Sequence, residues 1–182
     1  MMTQYITIPD NMNKYLWNLI EKYGSKKTAK EFHSKSFCPK YINNPDIIEL
    51  LIKSQIIMTD KGMHFSRKDI LEKGVDVEPK DIDWLVEFHR YNIDGSHIPD
   101  FRKHCDDHGG VSCNVNTIIY YLQKDPTVSG GNLIIYDKYN QTEKIEIVSG
   151  SMLIMRGDIY HEIEQMDGNG QRISIVVQIQ RD

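Results

Sequence analysis

Residues 82–91, IDWLVEFHRY, alternate in polarity along the chain with a period of two. On an extended strand, the even positions from Ile82 to Phe88 form one apolar face. The odd positions from Leu85 to Tyr91 form the other face, which is unusually polar for a core. The pattern therefore predicts a β-strand whose apolar face packs against helices.

Five further segments with short apolar runs follow this strand, and turn-forming residues separate them. The predicted strands are residues 115–123, 132–136, 143–148, 151–155 and 172–179. The predicted turns are residues 129–131, 137–138, 149–150, 157–158 and 167–170. Several short strands separated by such turns predict a β-sandwich or jelly roll in the second half of the chain.

The first half of the chain is predicted to be helical. After a short strand at residues 6–8, apolar residues recur at helical spacing from Met12 to Tyr23. Asp10 or Asn11 is the predicted N-cap of this helix, because both side chains can accept hydrogen bonds from the first turn.

A second helix is predicted to begin at about Pro45, with Asn44 as its N-cap. Residues 59–80 are polar and mixed, and they contain two glycines. So long an irregular segment is unusual inside a compact domain, and it suggests a mobile lid.

Length and composition limit the class of protein. The chain has 182 residues, of which 40% are hydrophobic and 26% are charged, and its formal net charge is −4. These values are typical of one soluble globular domain and disfavour a dedicated nucleic-acid binder. There is no membrane-spanning apolar run and no signal-peptide pattern, so we expect a cytoplasmic protein. Three cysteines without framework spacing indicate free thiols: Cys38, Cys105 and Cys113.

Residues 101–110, FRKHCDDHGG, concentrate side chains that bind metals. His104 and Asp106 are two positions apart, so on a strand their side chains share one face. An imidazole and a carboxylate need a third ligand to hold an octahedral metal from one side, and this ligand is usually a histidine. His161, in residues 157–163 (GDIYHEI), is the candidate.

The same cluster permits a second interpretation, a zinc knuckle. Its ligands would be His104, Cys105, His108 and Cys113. Structural zinc sites usually combine two paired short spacings from separate segments, and this cluster has no second pair. The set of two histidines and one carboxylate is therefore favoured.

Arg172 is predicted to begin the last strand, with Ser174 on the same face. A guanidinium group is a planar fork that binds a carboxylate through two hydrogen bonds, and a serine hydroxyl can add another. An arginine directed into a β-core is costly unless it meets an anion, although a surface ion pair is the alternative. The pattern favours a bound carboxylate.

With these candidate residues in this order along the chain, residues 82–179 resemble the catalytic core of the iron(II)- and 2-oxoglutarate-dependent dioxygenases, in their prolyl 4-hydroxylase-like branch. The H-x-D…H motif of that family reads here as HCD at residues 104–106, followed by His161. The family's 2-oxoglutarate arginine falls on Arg172, in an Arg-x-Ser pair with Ser174.

The resemblance extends to two consecutive segments, NTIIYYLQKD at residues 116–125 and SGGNLIIY at residues 129–136. It implies a co-substrate pocket formed by Tyr91, Ile119, Tyr121 and Leu133. Arg172 lies slightly farther from its histidine than is usual in the family, and we expect a loop at residues 168–170 to absorb the difference.

The implied fold is α+β with a mainly β core, a double-stranded β-helix (jelly roll) with flanking N-terminal helices. We expect a single domain, residues 1–182. The helical flanking region and the lid would occupy residues 1–80, and the dioxygenase core would occupy residues 82–180. The sequence does not indicate an oligomeric state.

The resemblance implies an enzyme that binds iron(II) through His104, Asp106 and His161 and binds 2-oxoglutarate through Arg172 and Ser174. With O2 it would hydroxylate a C–H bond and release succinate and CO2, and L-ascorbate dependence is implied as well. The implied substrate is a prolyl or other side chain of a protein or peptide, although no residue identifies a proline pocket. Two alternatives stay open: an oxygenase of nucleobases or small molecules, and a non-catalytic jelly-roll binding module.

Overall fold

The computed structural model describes residues 4–24, 33–37, 43–65, 84–97, 102–106 and 114–181. The described part of the chain contains two helices, α1 (Asp10–Tyr23) and α2 (Pro45–Asp60). Its strands are β1 (Gln4–Thr7), β2 (His33–Phe37), β3 (Trp84–His97), β4 (Val115–Lys124), β5 (Val128–Gly130), β6 (Leu133–Tyr136), β7 (Thr142–Ile145), β8 (Ser151–Arg156), β9 (Tyr160–Ile163) and β10 (Met166–Gln180). Neither helix is long and apolar enough to cross a membrane.

The strands form two antiparallel sheets. The larger sheet has the order β1-β8-β4-β10-β3-β2, with β5 paired to β10, and the smaller sheet has the order β7-β6-β9. Side chains of both sheets share one buried cluster, in which Ile119 and Leu153 of the larger sheet pack with Leu133 and Ile135 of the smaller one. This arrangement confirms the predicted α+β fold with a jelly-roll core.

The helices pack on the outer face of the larger sheet. Trp84, Val86 and Phe88 of β3 are buried in one cluster with Leu16 of α1 and Leu50 of α2. Burial of each such side chain stabilises the fold by ~1.5–3 kcal/mol, so these three of β3 together approach the ~5–15 kcal/mol net stability of a typical domain. That gain determines which face of β3 contacts the helices, as the alternation predicted.

The N-terminus of α2 agrees with the sequence. The side-chain oxygen of Asn44 accepts hydrogen bonds from the backbone N–H groups of Asp46 and Ile47, at 3.1 and 3.4 Å. Pro45 occupies the first turn, where its missing N–H group has no helical partner to lose.

The N-cap predicted for α1 was wrong. This helix begins at Asp10 directly after Pro9, and no side chain caps it. Asn11 lies inside the first turn, where its side-chain oxygen accepts a hydrogen bond from the N–H group of Met12 at 2.9 Å. Pro9 is the N-cap residue, in an extended conformation, and Asp10 places a negative charge in the first turn, where the helix dipole favours it.

The turn predicted at residues 167–170 was also wrong, because this segment belongs to β10 and pairs with β3 and β5. Gly168 has a φ of +124°, and a Cβ at this position would lie 2.0 Å from the carbonyl oxygen of Thr127. The glycine therefore serves the close approach of the neighbouring backbone rather than a turn. Arg172 consequently lies inside β10 instead of beginning it, and a strand rather than a loop absorbs its distance from His161.

Other strands differ from the predictions as well. β5 occupies part of the turn predicted at residues 129–131, β7 ends at Ile145, and β2 and β9 were not predicted. Strands β1 and β2 add the N-terminal region to the larger sheet at its two edges. Of the predicted lid, residues 59–60 end α2 and residues 66–80 lie outside the described residues.

Candidate active site

The three predicted metal ligands lie together between the sheets. Nε2 of His104 and Nε2 of His161 each lie 3.8 Å from Oδ1 of Asp106. The candidate ligand atoms are all within 4.8 Å of one another, and among the described residues this is the one cluster of its kind. One ion could contact all three side chains, with two nitrogen ligands and one oxygen ligand on the same side.

The local structure that produces this cluster differs from the prediction. Residues 104–106 do not form a regular strand, and His104 takes part only in an isolated antiparallel bridge with His161. In this bridge each backbone N–H group donates to the carbonyl oxygen of the other histidine, at 2.9 and 2.7 Å. The bridge therefore places the two imidazole rings side by side, with their centroids 4.4 Å apart.

Backbone carbonyl groups orient both imidazole rings. Nδ1 of His104 lies 2.7 Å from the carbonyl oxygen of Arg102, and Nδ1 of His161 lies 2.9 Å from that of Ile159. A carbonyl oxygen can only accept, so each Nδ1 carries the hydrogen and each Nε2 keeps a lone pair for a metal. Burial lowers the pKa of His161 against the raising effect of Asp106, which favours the neutral ring that metal binding requires.

A neighbouring strand orients the carboxylate. The hydroxyl group of Thr117, on β4, donates to Oδ2 of Asp106 at 2.6 Å and leaves Oδ1 toward the histidines. Thr117 was not among the predicted site residues. The sequence contains one indication of its role. Alternate residues of a strand share a face, so Thr117 lies on the same face of β4 as the predicted pocket residues Ile119 and Tyr121.

Arg172 is buried in the cavity beside this cluster, with only 2% of its surface exposed. Its Nε donates to the carbonyl oxygen of Gly131 at 3.0 Å, and its guanidinium carbon lies 5.6 and 5.4 Å from the ring centroids of Tyr91 and Tyr121. Within the described part of the chain, Nη1 of Arg172 and the hydroxyl group of Tyr121 have no hydrogen-bond partner. Burial raises the pKa of Tyr121 against the lowering effect of Arg172, so the phenol keeps its proton and can donate.

The two buried donors without partners show whether the site fits a carboxylate. Leaving a buried donor unsatisfied costs ~1–3 kcal/mol, and more if the group is charged. A carboxylate bound between Arg172 and Tyr121 would satisfy both donors and neutralise the guanidinium charge. The residues at this end of the cavity therefore fit a bound carboxylate.

The sequence profile described as "2OG-Fe(II) oxygenase superfamily" matches residues 86–180, which is more than half of the chain. The chain belongs to this superfamily. The matched segment includes the three candidate metal ligands and Arg172. The family predicted from the sequence motifs is thereby confirmed.

Solved structures with the superfamily fold resemble this chain along its whole length. A prolyl-4-hydroxylase from Pseudomonas putida matches with a TM-score of 0.60 and 14% identity, over 100% of this chain and 92% of that one. An oxidoreductase of the 2OG-Fe(II) oxygenase family from Burkholderia pseudomallei matches with a TM-score of 0.60 and 12% identity, over 99% and 86%. A viral collagen prolyl hydroxylase from Paramecium Bursaria Chlorella virus-1 matches with a TM-score of 0.56 and 14% identity, over 100% and 97%. No curated protein matches the sequence significantly.

In this member of the superfamily, the ligand cluster and Arg172 line one cavity of about 480 Å³, its open mouth included. Four other predicted residues also line it: Ile119, Tyr121, Leu133 and Ser174. Tyr91 is not part of the lining, and it lies opposite Arg172 in the register of β3 and β10, where its ring contacts the guanidinium.

The sequence prediction missed five residues of the lining: Glu87, His89, Ile163, Val176 and Gln178. The alternation of β3 and β10 places four of them on the cavity face, and only Ile163 comes from the smaller sheet. Of the competing zinc set, His108 and Cys113 lie outside the described residues. Cys105 is buried and is not part of the ligand cluster.

Proposed function

We propose that this superfamily member is an iron(II)- and 2-oxoglutarate-dependent dioxygenase. It hydroxylates a C–H bond in a residue of a protein or peptide, with a prolyl side chain as the first candidate, and it releases succinate and CO2. The observation that carries the proposal is the convergence of three ligand atoms in a cavity that also contains a buried arginine with an unsatisfied donor.

The proposed metal ligands are His104, Asp106 and His161. Two imidazole nitrogens and one carboxylate oxygen suit iron(II), and a set of three on one side leaves positions for other ligands. The carbonyl groups behind the histidines and the hydroxyl group of Thr117 hold the ligand atoms in place before the metal arrives. Contacts of this kind typically change metal affinity by ~10–100-fold.

The proposed co-substrate site lies between Arg172 and the metal ligands. The guanidinium of Arg172 would bind the distal carboxylate, and the hydroxyl groups of Ser174 and Tyr121 would add hydrogen bonds. Ile119 and Leu133 line the apolar part of the cavity, where the methylene groups of the co-substrate would pack. Tyr91 supports the guanidinium from the side through its ring.

When bound, iron(II) and 2-oxoglutarate supply the oxidation of a C–H bond by O2. The chain binds and orients the reactants, and the apolar side chains of Ile119 and Leu133 limit the access of water to the co-substrate. The prolyl assignment is supported by two of the structural relatives, which carry prolyl hydroxylase names. Dependence on L-ascorbate belongs to the same proposal.

The test begins with the protein purified without oxygen and loaded with iron(II) and 2-oxoglutarate. We expect a weak visible charge-transfer band, which His161→Ala abolishes. His64→Ala is the control, because His64 is exposed and lies outside the ligand cluster. Tight zinc binding with no band would refute the proposal.

The substrate is then tested by admitting oxygen in the presence of proline-rich peptides. We expect succinate release that the peptide stimulates and a peptide mass gain of one oxygen atom. Asp106→Ala distinguishes an enzyme from a binding module, because a module would keep its partner whereas an enzyme would lose turnover. A band without any peptide stimulation would redirect the search to nucleobases and small molecules.

A further inference from the structure

One wall of the cavity is polar, and neither the metal nor the co-substrate accounts for it. β3 places Glu87 and His89 on the cavity face, and β10 contributes Gln178 to the same wall. The facing sheet contributes the apolar side chains of Leu133 and Ile163 in addition to the metal ligand His161. Apart from the metal ligands, a substrate between these walls would meet hydrogen-bonding groups on one side only.

The two side chains of β3 are joined to each other. Nε2 of His89 lies 3.0 Å from Oε2 of Glu87. A carboxylate oxygen can only accept, so Nε2 carries the hydrogen and donates it. The carboxylate is the more accessible partner, with 19% of the Glu87 side chain exposed against 6% for His89. The imidazole therefore orients a carboxylate that a molecule entering the cavity can contact.

The charges of the lining indicate what this carboxylate could bind. Among the described residues that line the cavity, Glu87 and Asp106 are acidic and Arg172 is the one permanent cation. In the proposed function Asp106 binds the metal and Arg172 binds the co-substrate. The double positive charge of iron(II) and the double negative charge of 2-oxoglutarate cancel, so neither group offsets the carboxylate of Glu87. A partly buried carboxylate that a ligand can contact favours a cationic group on that ligand.

We propose that Glu87, oriented by His89 and flanked by Gln178, recognises a positively charged nitrogen next to the carbon that is hydroxylated. The ligand chemistry is an ammonium or guanidinium group, from a free basic amino acid or from a lysine or arginine side chain of a peptide. This inference rests on the proposed function and narrows its substrate. A prolyl residue inside a chain has neither a charge nor an N–H group, so a prolyl substrate would need a basic neighbour to contact Glu87.

The test measures equilibrium binding before turnover. Protein loaded with iron(II) and 2-oxoglutarate is titrated without oxygen, by calorimetry, with L-arginine and with L-citrulline, which has nearly the same shape and no charge. The same comparison is made with acetyl-Gly-Arg-Gly-amide and its citrulline analogue, and with L-lysine against Nε-acetyl-lysine. We expect at least one basic probe to bind about tenfold or more tightly than its neutral partner, which corresponds to ~1.4 kcal/mol. Comparing the free amino acids with the peptide probe shows whether the bound basic group belongs to a free amino acid or to a peptide side chain.

Variants of Glu87 test whether the preference for a basic probe comes from the polar wall of the cavity. Glu87→Gln keeps the size and removes the charge, so the preference for the basic probe should disappear. Glu87→Asp keeps the charge and should retain part of the preference. Glu143→Gln, on the exposed strand β7, is the control and should bind like the unmodified protein. The visible charge-transfer band should be present in all three variants, because none of these residues is a metal ligand.

The outcomes separate this inference from the proposed function. Failure of every basic probe to bind, or a preference that survives Glu87→Gln, would overturn the inference. Turnover of a proline-rich peptide without basic residues, at a rate that Glu87→Gln leaves unchanged, would also overturn it while supporting the proposed function. Charge-selective binding that depends on Glu87, without any succinate release, would support the recognition wall and count against the dioxygenase.

Discussion

Replacing Arg172 with methionine should abolish tight binding of 2-oxoglutarate without unfolding the protein. Arg172 is 2% exposed, its Nε donates to the carbonyl oxygen of Gly131, and its Nη1 has no partner among the described residues. Methionine keeps an unbranched stem of similar length and removes the charge together with its donors. The variant therefore tests the anion site alone.

The magnitude follows from the number of hydrogen bonds lost. A hydrogen bond to a charged group is worth ~1.5–3 kcal/mol, and a guanidinium fork makes two of them with a carboxylate. The expected loss of ~3–6 kcal/mol raises the Kd for 2-oxoglutarate by about 10²–10⁴-fold. The free energy of unfolding without 2-oxoglutarate should stay the same or increase, because Arg172→Met removes a buried charge that has no ion-pair partner among the described residues in that state.

The assay is a titration of 2-oxoglutarate into iron(II)-loaded protein without oxygen, followed by the visible band. Thermal unfolding is measured in parallel without 2-oxoglutarate. Arg156→Met is the matched control, because Arg156 is an exposed arginine in an ion pair with Asp158, and such pairs contribute only ~0–1 kcal/mol. A Kd for Arg172→Met within a few-fold of the unmodified protein would refute the reasoning. So would a large fall in its unfolding temperature, since the arginine would then serve the fold.

Three further predictions concern the support of the site and of the fold. Thr117→Val removes the hydrogen bond to the metal-binding carboxylate at nearly constant shape, so a metal titration should show iron(II) affinity ~10–100-fold lower. An unchanged affinity would mean that the carboxylate needs no support. Asn44→Ala should lower the free energy of unfolding in a denaturant titration by ~1 kcal/mol through loss of the α2 cap, with 2-oxoglutarate affinity unchanged. Burial disfavours the phenolate of Tyr121 and raises its pKa, so this residue should stay neutral as the pH rises through ~10. The tyrosinate absorbance of Tyr121→Phe should therefore match that of the unmodified protein up to this pH, and a smaller signal in the variant would contradict the assignment.

Much of the fold could be predicted because the alternation of inward and outward side chains along a strand is visible in the local sequence. On β4, Ile118 and Tyr120 pack toward the helices, whereas Ile119 and Tyr121 face the smaller sheet. The same alternation placed Arg172 and its serine neighbour on the cavity face. It also placed a glutamate and a histidine of β3 there, which the sequence marked as unusual without indicating a use for them.

The missed elements depend on contacts that no local pattern contains. The sequence Asp167-Gly168-Asn169-Gly170 has the composition of a turn, and its extended conformation follows from pairing with strands on both sides. Gly168 is required by a carbonyl oxygen of Thr127, which is distant in sequence. β2 has one strongly apolar residue, Phe37, and it is defined by its pairing with β3.

The metal ligands were predicted in part from the local sequence, and in part they depend on contacts between distant segments. Parity on a strand selected His104 and Asp106, yet the segment between them is irregular and the two side chains converge for other reasons. The bridge to His161 positions His104, and the hydroxyl group of Thr117 positions the carboxylate. Each ligand thus depends on an element that belongs to a different part of the chain. The ligand atoms can meet only after β4 and β9 have been brought together, so metal affinity should report closure of the two sheets and not the formation of any single strand.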